Sequence, residues 1–273
     1  MTTVRVATCQ VSPVIGNYKR NLQQVKQSLS DANGLGAEII VLPELPVSGY
    51  AFDNINEARA LSENIDGETV SSYISASFNG TTIIGGFCEK GTDGEIYNSA
   101  AVVENGRIID IYRKVHLWGK EQIFFTAGQD PAPVVSTQYG QIGVGICYDI
   151  EFPELSRDLT LRGAEILAFP TNWPKSETPA GERPNLHTIA MATARLNRVY
   201  VAVSDRSGTE RGHEYMGASI VASPDGWSIA NSEDNSEFRT IVADCDLDIA
   251  RDKHLGEMND ILLDRRPELY LKR

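Results

Sequence analysis

Cysteine is scarce in this sequence and never paired: Cys9, Cys88, Cys147 and Cys245 stand far apart, with no Cys-X-X-Cys among them. Such spacing excludes a disulfide framework, a dithiol redox motif and a zinc knuckle. The histidines, His116, His187, His213 and His254, are equally dispersed and no His-Glu-X-X-His occurs, so no metal centre is expected. No apolar run approaches the roughly 18 residues of a membrane span. The start, Met1-Thr2-Thr3-Val4-Arg5-Val6, lacks the basic and long apolar regions of a signal peptide, so a cytoplasmic protein without a membrane partner is expected. Basic residues are outnumbered 25 to 37, and the net charge of -12 repels nucleic-acid phosphates and anionic lipid. Gly-X-Ser-X-Gly and phosphate-loop sequences are missing. Gly143-Val144-Gly145 fails as a dinucleotide loop because Tyr148 stands where the third glycine belongs, so no cofactor is expected. No Pro/Gly/Ser-rich linker interrupts the chain, and 1–273 reads as a single domain.

What is present alternates strand and helix patterns. Val4 to Gln10 reads as a strand, Asn17 to Asn33 as a helix with Leu22, Val25 and Leu29 on one face, and Ala37 to Glu44 as a strand buried on both faces. This opening sets the class as α/β. Short helical patterns run to about Ser77. Strands are then expected over Thr81 to Phe87, Tyr97 to Val103 and Arg107 to Tyr112, the last two joined by an Asn105-Gly106 hairpin. The loop that follows, with Trp118, Glu121, Phe124, Phe125 and Gly128, has the composition of a site wall. Later come a helix over Leu186 to Asn197, a strand over Val199 to Ser204, a hairpin of Met216 to Ala222 with Trp227 to Ala230, and a last strand over Thr240 to Asp244. The tail from Ile249 has no clear pattern, and packing of about 249–273 on a partner subunit is expected.

The second half repeats the first. Gly36-Ala37-Glu38-Ile39-Ile40-Val41-Leu42-Pro43-Glu44 lines up with Gly163-Ala164-Glu165-Ile166-Leu167-Ala168-Phe169-Pro170-Thr171, and each follows a strand pattern ending in a cysteine, Cys9 or Cys147. Right-handed crossovers in two such β-α-β halves bring the strand ends to one edge, where ligands of open α/β sheets bind. Glu44, Cys147 and Thr171-Asn172-Trp173 are therefore expected to meet.

Three strand-end residues carry complementary chemistry: the Cys147 thiol attacks, the Glu44 carboxylate moves protons, and the Lys114 ammonium lowers a thiol pKa or holds an oxyanion. A core cysteine is the bland alternative for Cys147. A papain-like Cys/His pair would have to borrow His116 or His187, and the spacing favours neither.

The sequence resembles the nitrilase superfamily of carbon-nitrogen hydrolases through three ordered segments. These are Leu42-Pro43-Glu44 with Gly49-Tyr50, Tyr112-Arg113-Lys114-Val115-His116-Leu117, and Cys147-Tyr148-Asp149-Ile150-Glu151-Phe152-Pro153-Glu154. The resemblance spans Val4 to about Asp246. It implies a four-layer α-β-β-α sandwich built from two pseudo-repeated halves, a Glu44-Lys114-Cys147 triad, and Glu121 as a fourth, positioning glutamate. It further implies that the Cys147 thiolate adds to an amide carbonyl. Lys114 and the Tyr148 backbone amide hold the oxyanion, and Glu44 protonates the leaving amine and then activates water against the thioester.

Cys147-Tyr148-Asp149 resembles the amidase-like branches more than the Cys-Trp-Glu of true nitrilases, so a small-molecule amide is the expected substrate. N-carbamoyl amines, nitriles and acyl transfer through the same thioester are the alternatives. Branches acting on keto-acid amides carry arginine where Glu151 stands, which points to a neutral or amino-bearing amide; Glu151 equally fits a surface role. Tyr50, Phe52, Trp118, Phe124, Asn172 and Trp173 complete the expected substrate wall. Thr193-Ala194-Arg195-Leu196-Asn197 keeps only Ala194 and Asn197 of a family segment, Arg-Ala-X-Glu-Asn, which leaves subfamily placement open. Members usually pair through a helix like that from Pro153 to Arg162, so a homodimer or higher homo-oligomer is expected, with Leu155, Leu159 and Leu161 as apolar contacts.

Overall fold

The computed structural model describes residues 2–232 and 238–270; positions 1, 233–237 and 271–273 lie outside it, the last three belonging to the tail expected over about 249–273. The first sheet joins β1 (Thr3–Gln10), β2 (Ile39–Val41), β3 (Thr82–Lys90), β4 (Ile96–Glu104), β5 (Arg107–Arg113) and, from the far end of the chain, β14 (Arg239–Asp246). The second joins β6 (Val134–Thr137), β7 (Gly140–Val144), β8 (Ile166–Thr171), β9 (Tyr200–Asp205), β12 (Ile220–Ala222) and β13 (Ser228–Asn231); β10 (Thr209–Glu210) and β11 (His213–Glu214) form a separate ribbon. The spatial orders, β14-β1-β2-β3-β4-β5 and β6-β7-β8-β9-β12-β13, have the same design: three parallel strands flanked by antiparallel ones.

Helices cover the outer faces. α1 (Tyr18–Gly34) and α3 (Glu68–Ala76) lie on the first sheet; α5 (Pro153–Leu161) and α6 (Asn185–Asn197) lie on the second. α2 (Ile55–Leu61), α4 (Glu121–Phe124), α7 (Leu247–Arg251) and α8 (Pro267–Tyr270) are short. In α1 the Asn17 side chain caps the first turn by accepting from the Arg20 amide, and Leu22, Val25, Leu29 and Ala32 recur at helical spacing on the buried face. Two-sided burial is visible in single strands: Ile39 and Val41 enter the core between the sheets, whereas Ile40 and Leu42 join α1 and α3 in the outer core. The Asn105-Gly106 hairpin forms, with φ of 51° and 74° at the two turn residues as a type I′ turn requires.

Several expectations need correction. Of the strand expected over Ala37 to Glu44, β2 covers Ile39–Val41; Leu42 still donates to the Ile84 carbonyl at 2.8 Å and Pro43 accepts from the Gly86 amide at 3.1 Å, but Pro43 has no amide hydrogen to carry the ladder further. The patternless tail holds α7 and α8. Cys9 and Cys147 are not equivalents: Val6 pairs with Ile39 where Ile142 pairs with Ile166, a register that sets Cys9 opposite Gly145 and matches Cys147 to Val11. Cys9 lies inside β1 and faces the helix layer. Leu159 is fully buried in the chain's own core, so it is unavailable to a partner, while Leu161 is exposed. Among the described residues, no helix is long and apolar enough to cross a membrane.

Candidate active site

Glu44 stands three residues past β2, where Leu45 takes a left-handed φ of 46° and turns the chain away. β3 must come very close at this point. A Cβ on Gly86 would lie 2.7 Å from Glu44 Cα, Leu45 N and Pro43 O, so only glycine fits. The Glu44 side chain is wholly buried. Its Oε1 accepts from Asn98 Nδ2 at 2.6 Å and Lys114 Nζ at 2.7 Å, while Oε2 has no hydrogen-bond partner among the described residues. Burial pushes its pKa up to about 7, against the pull of the Lys114 charge and with a push from Glu121.

Lys114 follows β5 directly and is fully buried between two carboxylates, donating also to Glu121 Oε1 at 2.9 Å. Burial opposes its charge, but Glu44, Glu121 and Cys147 more than offset this and hold the ammonium pKa well above the ordinary lysine value. Glu121 opens α4. Its Oε1 also accepts from the Tyr50 hydroxyl at 2.5 Å, and its Oε2 from the Trp118 amide at 3.2 Å. A single ammonium thus bridges two glutamates, and every link but the free Glu44 oxygen is made.

Cys147 lies three residues beyond β7, at the start of a 3-10 turn over Cys147–Glu151, with a left-handed φ of 48°. That conformation costs a non-glycine residue energy unless its surroundings enforce it. Asp149 supplies the enforcement: fully buried, it accepts from the Ile146 amide at 2.8 Å and the Tyr112 hydroxyl at 2.8 Å, and lies 2.7 Å from His116 Nδ1. The His116 ring stacks on Phe152 at 3.7 Å, which occupies both the imidazole face and one nitrogen in holding the turn. Burial pushes the Cys147 thiol well above its ordinary pKa, Glu44 adds to this, and Lys114 opposes it, as does a hydrogen bond with the Asn172 backbone. Burial also raises Cys9 and Cys245 to about 12. Cys147 differs from them in its neighbours, an ammonium and two carboxylates, and in facing a cavity.

Two adjoining cavities open here. One of about 770 Å³ is lined by Tyr50, Phe52, Trp118, Glu121, Phe124 and Tyr215, among others. The other, about 220 Å³, has Cys147, Tyr148 and Glu151 on its wall with Trp118 and Trp173. Of the residues expected to bind substrate, Asn172 lines neither: its side-chain amide is buried with no partner among the described residues, and its backbone hydrogen-bonds to Cys147. Phe52 and Phe124 are wall and core at once, meeting edge to face at 5.9 Å in a small buried cluster.

Residues that the sequence reading passed over hold this arrangement in place. Asn98 reaches Glu44 from β4; Glu210 Oε2 accepts from the Tyr50 and Ala51 amides at 2.8 Å each and from Arg206 at 3.1 Å. Arg206 is fully buried under the Tyr215 ring, at 3.9 Å, and donates to the Pro13 carbonyl. Asp205 accepts from the Trp173 amide, fixing the opposite wall; burial raises its pKa to about 7. A signal existed: Asn98 interrupts an apolar strand, and Asp205-Arg206 places two charges where another ends.

Comparison with known proteins agrees with this fold. The family model Carbon-nitrogen hydrolase matches residues 5–253. A protein from Pyrococcus abyssi named nitrilase is 36% identical over 98% of this chain and 100% of its own. The chloroplastic omega-amidase of Arabidopsis thaliana is 31% identical over 99% of this chain and 74% of its own. Among solved structures, a mutant amidase from Nesterenkonia sp. AN1, with acrylamide joined by Michael addition to its active-site cysteine, superposes with a TM-score of 0.79 at 25% identity, covering 97% of this chain and 98% of that one.

Proposed function

We propose, for a chain that belongs to the carbon-nitrogen hydrolase family, that it hydrolyses a small-molecule carboxamide to a carboxylate and ammonia through a thioester on Cys147. The observation that carries this reading is the buried bridge of Lys114 between Glu44 and Glu121, whose charges act on a thiol that lines a cavity. The family resemblance suggests a thiolate as the attacking form. The raised thiol pKa favours a different start: Cys147 rests as S–H and gives its proton to Glu44, whose Oε2 is unengaged, as sulfur bonds to the carbonyl carbon.

Lys114 and the Tyr148 amide then stabilise the oxyanion. Glu44 passes the proton to nitrogen, the C–N bond breaks and ammonia leaves. Water adds to the thioester while Glu44 takes its proton, and collapse of the second tetrahedral adduct returns that proton to sulfur. A carboxyl with a pKa of about 7 gives and takes protons with little bias at neutrality. Amide rather than nitrile is favoured because the acrylamide-modified neighbour is named an amidase, although the Pyrococcus abyssi relative is named nitrilase.

Ammonia release over a panel of aliphatic, aromatic, amino-acid and carbamoyl amides, beside the matching nitriles, tests this. Amides are expected to turn over best. Cys147→Ala is expected to abolish release, and Glu44→Gln to reduce it by at least about a hundredfold without unfolding the protein. Undiminished ammonia release from Cys147→Ala would sink the assignment.

A further inference from the structure

The smaller cavity carries a charge pattern that the thioester chemistry leaves unused. Three aromatic side chains, Trp118, Tyr148 and Trp173, line it together with Cys147. Trp118 and Tyr148 meet edge to face at 4.8 Å, and Trp173 is tied down by its indole nitrogen, which donates to Asn185 at 3.1 Å. Two charged side chains share the wall. Lys175 is neutralised by an ion pair with Glu214. Glu151 is exposed and has no ion pair or hydrogen bond among the described residues.

An aromatic wall with one uncompensated carboxylate is the chemistry that recognises an ammonium group: the ring faces attract a cation and the carboxylate completes the pair. A substrate carboxylate would meet Glu151 as a like charge and be rejected. We propose that this cavity receives the ammonium end of the substrate, so that the amide cleaved at Cys147 bears a second, protonated amine a few bonds from its carbonyl, with Glu151 as its partner. This rests on the amide-hydrolysis reading and names its substrate class. Cys147 and Glu151 border the same 220 Å³, so both ends of such a molecule fall within one small volume.

The test is kcat/KM for the full chain on three matched series: short ω-amino amides, neutral alkyl amides of equal length, and ω-carboxy amides. The amino amides are expected to exceed their neutral isosteres by about tenfold, with the carboxy amides last. Added salt should narrow that preference. Glu151→Gln is expected to bring the amino-to-neutral ratio close to one, and Glu151→Lys to reverse the order toward the carboxy amides. If the lysine variant does not fold, as judged by its melting curve, the glutamine variant decides alone. Equal turnover of amino and neutral amides by the wild type, or an unchanged ratio in Glu151→Gln, overturns the ammonium assignment and leaves amide hydrolysis standing. No turnover in any of the three series overturns the amide reading and this assignment with it.

Discussion

At the scale of the residue, the proposed reaction makes one carboxyl group the source of its pH dependence. Glu44 Oε1 takes two charge-stabilising hydrogen bonds, from Asn98 and Lys114, yet burial still wins and leaves the group titrating at about 7. The sign follows from the first task proposed for it. Below about 7 the group is protonated and cannot accept the thiol proton, so kcat/KM should rise with pH and level off above that value. Asn98→Ala removes a bond to the carboxylate form and should displace this rise upward by about one pH unit. An unmoved profile in that variant would separate Glu44 from the titration. That Glu44, Lys114 and Cys147 come together was legible in the sequence because each follows a strand and carries a distinct reactivity. Their supports were not. Asn98, Asp149 and Glu210 act on partners 54, 33 and 160 positions away, and a buried polar side chain announces that it needs a partner without saying which.

At the scale of the element, β3 shows how backbone proximity builds a site. Gly86 lies against the Glu44 backbone, and all three nearest atoms to an added Cβ are backbone atoms at 2.7 Å, which no rotamer change relieves. Gly86→Ala should therefore cost about 1–3 kcal/mol in denaturant melts and also lower kcat, since the strand can make room only by moving Glu44. Full activity in a destabilised variant would place the adjustment elsewhere. The Asn105-Gly106 turn was readable because its requirement for positive φ is local. The pairing of Cys9 with Cys147 misled because similarity at the second strand says nothing of the register of the first, which hydrogen bonds between strands fix.

At the scale of the whole molecule, the two sheets repeat one design, and the apolar side chains left outside it bear on assembly. Leu161, at the end of α5, and Leu196, near the end of α6, are 46% and 54% exposed; Met258 and Leu263 in the C-terminal region are 87% and 82% exposed. Surface leucines are ordinary one at a time, but the expectation of a homo-oligomer through α5 gives Leu161 a specific role. Leu159, two residues earlier, provides the contrast, because a helix turns it into the chain's own core. Leu159→Ala should cost about 2–5 kcal/mol of stability through the cavity it leaves. Leu161→Glu should leave the unfolding free energy of the isolated chain within about 0.5 kcal/mol, yet shift light scattering at micromolar protein toward the monomer mass. A wild-type chain that scatters as a monomer would overturn the assembly expectation. A Leu161→Glu protein with unchanged mass would move the contact away from this end of α5.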